Sequence, residues 1–322
     1  MSAAQTTNLK DMEHYMPVDV KFPSGAADLA GHLYLPENAP SGAALPAIVV
    51  VHPFGGVKEQ TAGLYAKLLS EKGYVTLAFD ARYQGASGGE PRYLEDPFAR
   101  AEDIKSAVTF LTTRPEVDAG RIGALGICAA GGYTPYAAQS DRRIKAVATV
   151  SGADMGLLFR EGLGGTAPPE VLDEMLKAAG EARNAEANGE PPRYQNIVPN
   201  SAAEITPETP NLYAEGSDYY RTPRAQHPNA PNRFLVQSVD RIAQYSSYDL
   251  IHLISPRPLL MIAGTEADTL YFSELAISRA SEPKELFLIE GATHIDMYDK
   301  PQYVGPAVEK MGGFFREYLN AS

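Results

Sequence analysis

Cysteine is nearly absent from this chain of 322 residues, which has only Cys128. One thiol excludes an intramolecular disulfide, and a free thiol is easiest to keep in a reducing compartment, so the cytoplasm is the expected location. Basic residues are also scarce: 28 Lys and Arg stand against 40 Asp and Glu, for a net charge of -12 and a pI near 5.0. Nucleic acid is therefore not an expected partner, because phosphate contacts need clustered cations. No apolar run reaches the roughly 18 residues of a membrane span, and Met1 to Met12 carries no basic-then-apolar arrangement. Neither a membrane segment nor a targeting leader is expected. Repeats and low-complexity tracts are missing. So are a glycine-rich phosphate loop with its lysine and the spacing of a His/Asp metal site, and no cofactor or metal is expected. The number of copies in solution is left open.

What is present is enough chain for a full core, as one large α/β domain with an insertion. Val18 to Phe22 and Leu29 to Leu35 read as two opening strands around Pro23-Ser-Gly25. Ala47 to Val51 is then a continuous apolar run of the kind buried on both faces of a parallel sheet. Ala62, Tyr65, Ala66 and Leu69 recur at helical spacing before Gly73. The alternation continues through Tyr74 to Phe79, a helix marked by Ala101, Ile104, Val108 and Leu111, then Ile122 to Ile127 and Ile144 to Val150. Late strands at Pro258 to Ala263 and Leu286 to Ile289 and a closing helix at Val308 to Leu319 complete it. This order implies a mostly parallel sheet flanked by helices.

Between about Asp154 and Tyr248 the alternation stops. A charged helical stretch, Glu170 to Asn188, leads into a Pro-, Asn- and Tyr-rich segment from Pro191 to Phe234. A compact domain has little room for a structureless loop of that length. Residues 154–248 are therefore expected to form an inserted cap over a site, with 1–153 and 249–322 as the core. A peripheral insertion is the alternative.

Cys128 sits in Gly126-Ile-Cys128-Ala-Ala-Gly-Gly132, where an apolar strand breaks into small residues before a helix. A sharp strand-to-helix turn that displays a nucleophile needs small neighbours, because its backbone is strained and the helix packs close to the strand. The alternative is a buried core cysteine. A nucleophile needs a base, an orienter for that base and donors for an oxyanion. His294 follows the last strand in Glu290-Gly-Ala-Thr-His294, and Gly264-Thr-Glu-Ala-Asp268 offers Asp268 as the orienting acid with Glu266 as the alternative. The chain order nucleophile, acid, histidine suits this arrangement. The Ala129 N–H opens the following helix, and its field is expected to lower the Cys128 pKa toward neutrality. Pro53 has no N–H, which leaves Phe54 in His52-Pro-Phe-Gly-Gly56 as the second donor.

Candidates for substrate contact are Tyr83, in the glycine-dense loop Asp80 to Gly89, and Tyr219, Tyr220, Arg221 and Arg224 in the cap. Solvated-loop roles are an equal alternative for the cap residues. A tight turn capped by Asp80 and Ser87 is the alternative for the loop.

These segments together resemble the α/β-hydrolase superfamily over nearly the whole chain. Gly126-Ile-Cys128, Asp268 and His294 look like the Cys-Asp-His triad of its dienelactone-hydrolase-like branch. His52-Pro-Phe-Gly-Gly-Val-Lys-Glu59, Phe79-Asp-Ala-Arg-Tyr-Gln-Gly85 and Ala292-Thr-His-Ile-Asp296 are similar to segments of capped bacterial hydrolases, to which fungal polyketide transferases and thiohydrolases look related. The resemblance implies a small-molecule acyl substrate, an ester, lactone or thioester, attacked by Cys128 to give an acyl-enzyme. Dienelactone hydrolases carry a Glu where this chain has Pro53, which argues against dienelactone itself. Transfer of a polyketide-like acyl group to an alcohol is the alternative to hydrolysis. A non-catalytic binding protein and a redox-sensing thiol are the readings from other classes.

Overall fold

The computed structural model describes residues 16–37, 40 and 42–320. Met1 to Met12, read above for targeting, lie outside the described residues. In chain order the elements are β1 (Val18–Ser24), β2 (Ala27–Tyr34), β3 (Leu45–Val51), α1 (Thr61–Ser70), β4 (Val75–Phe79), α2 (Pro97–Thr112), β5 (Val117–Ile127), α3 (Ala130–Ser140) and β6 (Ile144–Val150). The chain then runs through α4 (Met155–Glu161), α5 (Pro169–Ala187), β7 (Tyr194–Asn196), α6 (Asn211–Arg221), β8 (Arg233–Leu235) and α7 (Ser238–Ala243). It closes with β9 (Leu259–Gly264), α8 (Leu270–Arg279), β10 (Lys284–Ile289), α9 (Asp296–Asp299) and α10 (Pro301–Asn320).

Eight strands form one sheet in the order β1-β2-β4-β3-β5-β6-β9-β10. The β1–β2 and β2–β4 pairs are antiparallel and the rest parallel. The apolar run of β3 explains its central place. Val49 and Val51 face one layer with Ile104, Val108 and Tyr133, while Ile48 and Val50 face the other with Tyr65, Leu69 and Phe315. Each such side chain contributes about 1.5–3 kcal/mol on full burial, so a strand apolar at every position is stable only between two helical layers. A stripe at three- and four-residue spacing, Val304, Ala307, Val308, Met311, Phe315 and Leu319, seats α10 on the second layer.

The chain leaves β3 to one side for β4 and returns to its other side for β5. Order therefore reverses around β3, and the loops at the carboxyl ends of β3 and β5 flank a crevice of the kind where ligands bind in open α/β sheets. The predicted core strands and their helices stand within a few residues of their expected positions, and the charged stretch became α5. Five helices had no counterpart in the sequence reading: α4, α6 and α7 within residues 154–248, α8 after β9 and α9 after β10. Among the described residues, no helix is long and apolar enough to cross a membrane.

Candidate active site

Cys128 follows β5 directly with φ of 58°, in the left-handed region that a non-glycine residue adopts only under constraint. Its N–H donates to Val150 O at 3.0 Å, and its carbonyl accepts from Gly131 N at 2.7 Å and Ala153 N at 3.0 Å. The small neighbours are a steric requirement. A Cβ at Gly126 would drive into the Ala130 carbonyl, and one at Gly131 into the Gly152 backbone. The turn presents the thiol to a cavity of about 350 Å³.

The cavity is bounded on the sheet side by Phe54, Cys128, Ala153, His294 and Tyr298. Its far walls come from α4, α5, the β7 region and α6, through Leu158, Phe159, Met175, Ile197, Leu212 and Tyr220. Not one Asp, Glu, Lys or Arg is among its lining residues.

The N–H groups of Ala129 and Phe54 lie beside the Cys128 sulfur and favour its thiolate. The peptide unit that carries the Phe54 N–H is clamped through its carbonyl. Pro53 O accepts from His52 Nδ1 at 2.7 Å and from Arg100 Nη2 at 3.1 Å. A trans peptide sets N–H and C=O in opposite directions, so holding Pro53 O aims the Phe54 N–H at the sulfur. His52 Nε2 accepts from Ala81 N at 3.0 Å, which assigns the Nδ1–H tautomer, and lies 2.9 Å from Arg100 Nη1. Burial, reinforced by the Arg100 charge, holds the His52 pKa well below its usual value, so the ring is neutral. Arg100 in turn donates to Glu95 Oε1 at 3.0 Å, and both side chains are at most 3% exposed.

The thiol does not behave as the sequence suggested. Enclosure pushes the Cys128 pKa up, against the opposing pull of the Tyr298 hydroxyl, the Ala129 and Phe54 N–H groups and the Arg100 charge. The helix start therefore does not bring it to neutrality: desolvation of the thiolate outweighs the donors. His294, 1% exposed, is lowered by burial to about 3. At neutral pH the resting pair is thus a thiol and an uncharged imidazole.

His294 lies in the loop after β10, as expected, and its carbonyl accepts from Ser151 Oγ at 3.1 Å. Its Nδ1 meets Thr269 Oγ1 at 2.5 Å and its Nε2 meets the Tyr298 hydroxyl at 3.2 Å. Asp268, expected on the imidazole, instead accepts from Leu212 N at 2.9 Å, where it caps the first turn of α6. Glu266 is exposed. The turn after β9 sends the neighbouring hydroxyl inward and the Asp268 carboxylate toward a helix N-terminus, where negative charge is favoured.

Of the expected substrate contacts, Tyr220 alone lines the cavity, its buried hydroxyl unpartnered. Arg224 is committed to Asp299, with Nε to Oδ2 at 2.8 Å and Nη2 to Oδ1 at 2.6 Å, and to Asp218. Tyr219 packs edge-on against Tyr220 and Tyr298 behind the wall. Tyr83 and Arg221 also fall outside the lining. Asp80 is buried against Lys58 and accepts from Lys58 N and Ala86 N, so its loop follows the tight-turn alternative.

Sequence reasoning missed Arg100, Thr269 and Tyr298. Arg100 had a signal, since it shares a helical face with Ile104, Ala107 and Leu111, where a cation needs a buried partner. Tyr298 stands four residues after His294, one helical turn on.

The family described as X-Pro dipeptidyl-peptidase (S15 family) matches residues 25–210. The uncharacterized protein YcjY of Escherichia coli K12 is 40% identical over 292 residues, covering 90% of this chain and 94% of its own. The crystal structure of hypothetical protein PA2218 from Pseudomonas aeruginosa superposes with a TM-score of 0.88 at 38% identity over 94% of each chain. The polyketide transferase grgF of Penicillium sp is 30% identical over 256 residues, 78% of this chain and 81% of that one. The α/β-hydrolase structure of GrgF aligns with a TM-score of 0.79 at 26% identity, over 94% of this chain and 99% of that one.

Proposed function

The chain belongs to the S15 family, on the α/β-hydrolase fold, and from that premise we propose that it forms an acyl-enzyme on Cys128 from an ester, lactone or thioester of an uncharged, mostly apolar acid. One observation carries the reading: a strained thiol with two N–H groups beside it opens to a 350 Å³ cavity without a charged side chain. The thiol would attack the carbonyl, and the Phe54 and Ala129 N–H groups would take the oxyanion. His294, neutral at rest, would accept the proton as the oxyanion forms. The segment 154–248 would serve as the cap that encloses the acyl chain.

Dipeptide release from an X-Pro substrate fits this cavity poorly. It would bring an N-terminal ammonium against a lining with no carboxylate. A second reading, transfer to an alcohol, draws support from the same apolar wall, since scarce water favours a hydroxyl acceptor over hydrolysis. The similarity to a polyketide transferase agrees with it.

Intact-protein mass after brief exposure to aryl esters and acyl thioesters tests the proposal. Donors ending in methyl should leave an acyl adduct on Cys128. The same donors ending in carboxylate should react at least about a hundredfold more slowly, because an unpaired anion would be buried. Equal labelling by both series, or turnover of X-Pro peptides alone, would overturn it.

Thr269 and Asp268 are separable. Thr269→Val removes the Nδ1 partner of the imidazole and is expected to lower kcat about ten- to a hundredfold through misorientation. Asp268→Asn keeps an oxygen for Leu212 N and should act mainly on KM, through α6. Should Asp268→Asn prove the larger kcat effect, the carboxylate turns to the imidazole during turnover.

A further inference from the structure

Resting on the acyl-transfer reading, we infer that Tyr298 is a catalytic residue, its hydroxyl carrying the proton between Cys128 Sγ and His294 Nε2. The phenol stands where such a relay must. Its oxygen is 3.2 Å from Nε2 and lies near enough to the Cys128 sulfur to favour its thiolate. Its ring lines the cavity and is 1% exposed. With the Nδ1 proton directed to Thr269 Oγ1, Nε2 is free to accept from the phenol.

Several contacts leave that hydroxyl little freedom. Thr61 Oγ1 donates to Tyr298 O at 3.0 Å and the Tyr65 hydroxyl to Met297 O at 2.8 Å, which pins α9 to α1. Tyr219 meets the ring edge-on at 5.1 Å between centroids, and Tyr220 at 6.3 Å. Burial and the neighbouring sulfur raise the phenol well above its usual range, so a phenolate is not a stopping point. Both proton transfers must therefore occur together.

As Sγ bonds to the carbonyl carbon, the S–H proton passes to the Tyr298 oxygen and the phenol's own proton passes to Nε2. The products are a tetrahedral oxyanion, a neutral tyrosine and an imidazolium. On collapse the imidazolium returns its proton to the phenol oxygen, the phenol proton goes to the departing oxygen or sulfur, and the carbon–leaving-group bond breaks. Deacylation by water or an alcohol repeats the sequence with the acceptor's O–H in place of S–H.

The test uses the full-length protein and two independent readouts. Because Cys128 is the only cysteine, iodoacetamide uptake against pH reports its deprotonation without any acyl donor. The groups whose charge couples to the sulfur are Arg100, Tyr213, Tyr220, Tyr248 and Tyr298, and His294 lines the same cavity. Of these, the Tyr298 hydroxyl turns from Nε2 to donate to the sulfur once the thiol has lost its proton, so Tyr298→Phe should raise the alkylation midpoint and slow uptake at neutral pH about tenfold. With a donor that labels Cys128, Tyr298→Phe should lower kcat about 10²–10⁴-fold with little change in KM. Its dependence on deuterium fraction should change from curved, for two protons in flight, to linear.

Superimposable alkylation profiles, or a kcat within threefold of wild type, would overturn the relay. If Tyr298→Phe loses its fold, Tyr298→fluorotyrosine keeps the ring and lowers the phenol pKa, and an acylation rate insensitive to that change would overturn it equally. A protein that forms no acyl adduct yet shows Tyr298-dependent alkylation would sink the acyl-transfer reading and leave the proton path standing.

Discussion

Cys128→Ala is expected to abolish the acyl adduct and to lower turnover by about 10³-fold or more, since only binding and the oxyanion donors would remain. The elbow adds a second, thermodynamic arm to the experiment. Cys128 holds φ of 58°, a conformation that costs a non-glycine residue about 1–3 kcal/mol. Glycine occupies it freely but is more disordered in the unfolded chain, by about 0.5–1 kcal/mol. Cys128→Gly should therefore be inactive and at least as stable as wild type in urea. A core cysteine would behave oppositely, because deleting a packed side chain costs stability. Retained turnover in Cys128→Ala would remove the sulfur from the chemistry altogether.

The second large effect belongs to Arg100. Arg100→Met leaves Glu95, 1% exposed, as an unpaired buried carboxylate, and such one-sided removals cost about 3–5 kcal/mol. The urea midpoint should fall accordingly. Adding Glu95→Leu should recover most of that loss, because exchanging both charges for apolar side chains is often close to neutral. Activity should not return with stability. The Arg100 hydrogen bond that fixes the Pro53 carbonyl would still be missing, and the Phe54 N–H would be less well aimed. Loss of one oxyanion donor costs about 10²–10³ in kcat. A double variant that regains both stability and turnover would show that the guanidinium serves the fold alone.

These residues mark where sequence reading stops. The strands of the sheet were legible because a strand buried on both faces must be apolar at every position, as β3 and β9 are. Cys128 and His294 were legible because small residues around a nucleophile and a loop after a terminal strand are local features. The partner of Asp268 was not, since whether a carboxylate faces the imidazole or the α6 N-terminus depends on a turn and on a helix 56 positions away in sequence. Arg224 stood evenly between a ligand contact and a solvated loop, because Asp299, 75 positions away, is invisible to local pattern. The thiol's elevated pKa escaped for a related reason. A helix start can be read from the chain, whereas the apolar walls that outweigh it arrive from four other elements.

The cavity has two authors. Its reactive floor is written at the ends of β3, β5, β9 and β10, while its walls are written almost entirely between Met155 and Phe234. Ligand preference and the proposed chemistry can therefore diverge separately in descent: a lineage can redraw the walls and inherit the floor unchanged. Stitches between walls and floor limit that freedom, among them Leu212 to Asp268, Thr293 to Glu215 and Arg224 to Asp299. Any exchanged wall must bring an α6 that can still be sewn to the loops holding Thr269 and His294.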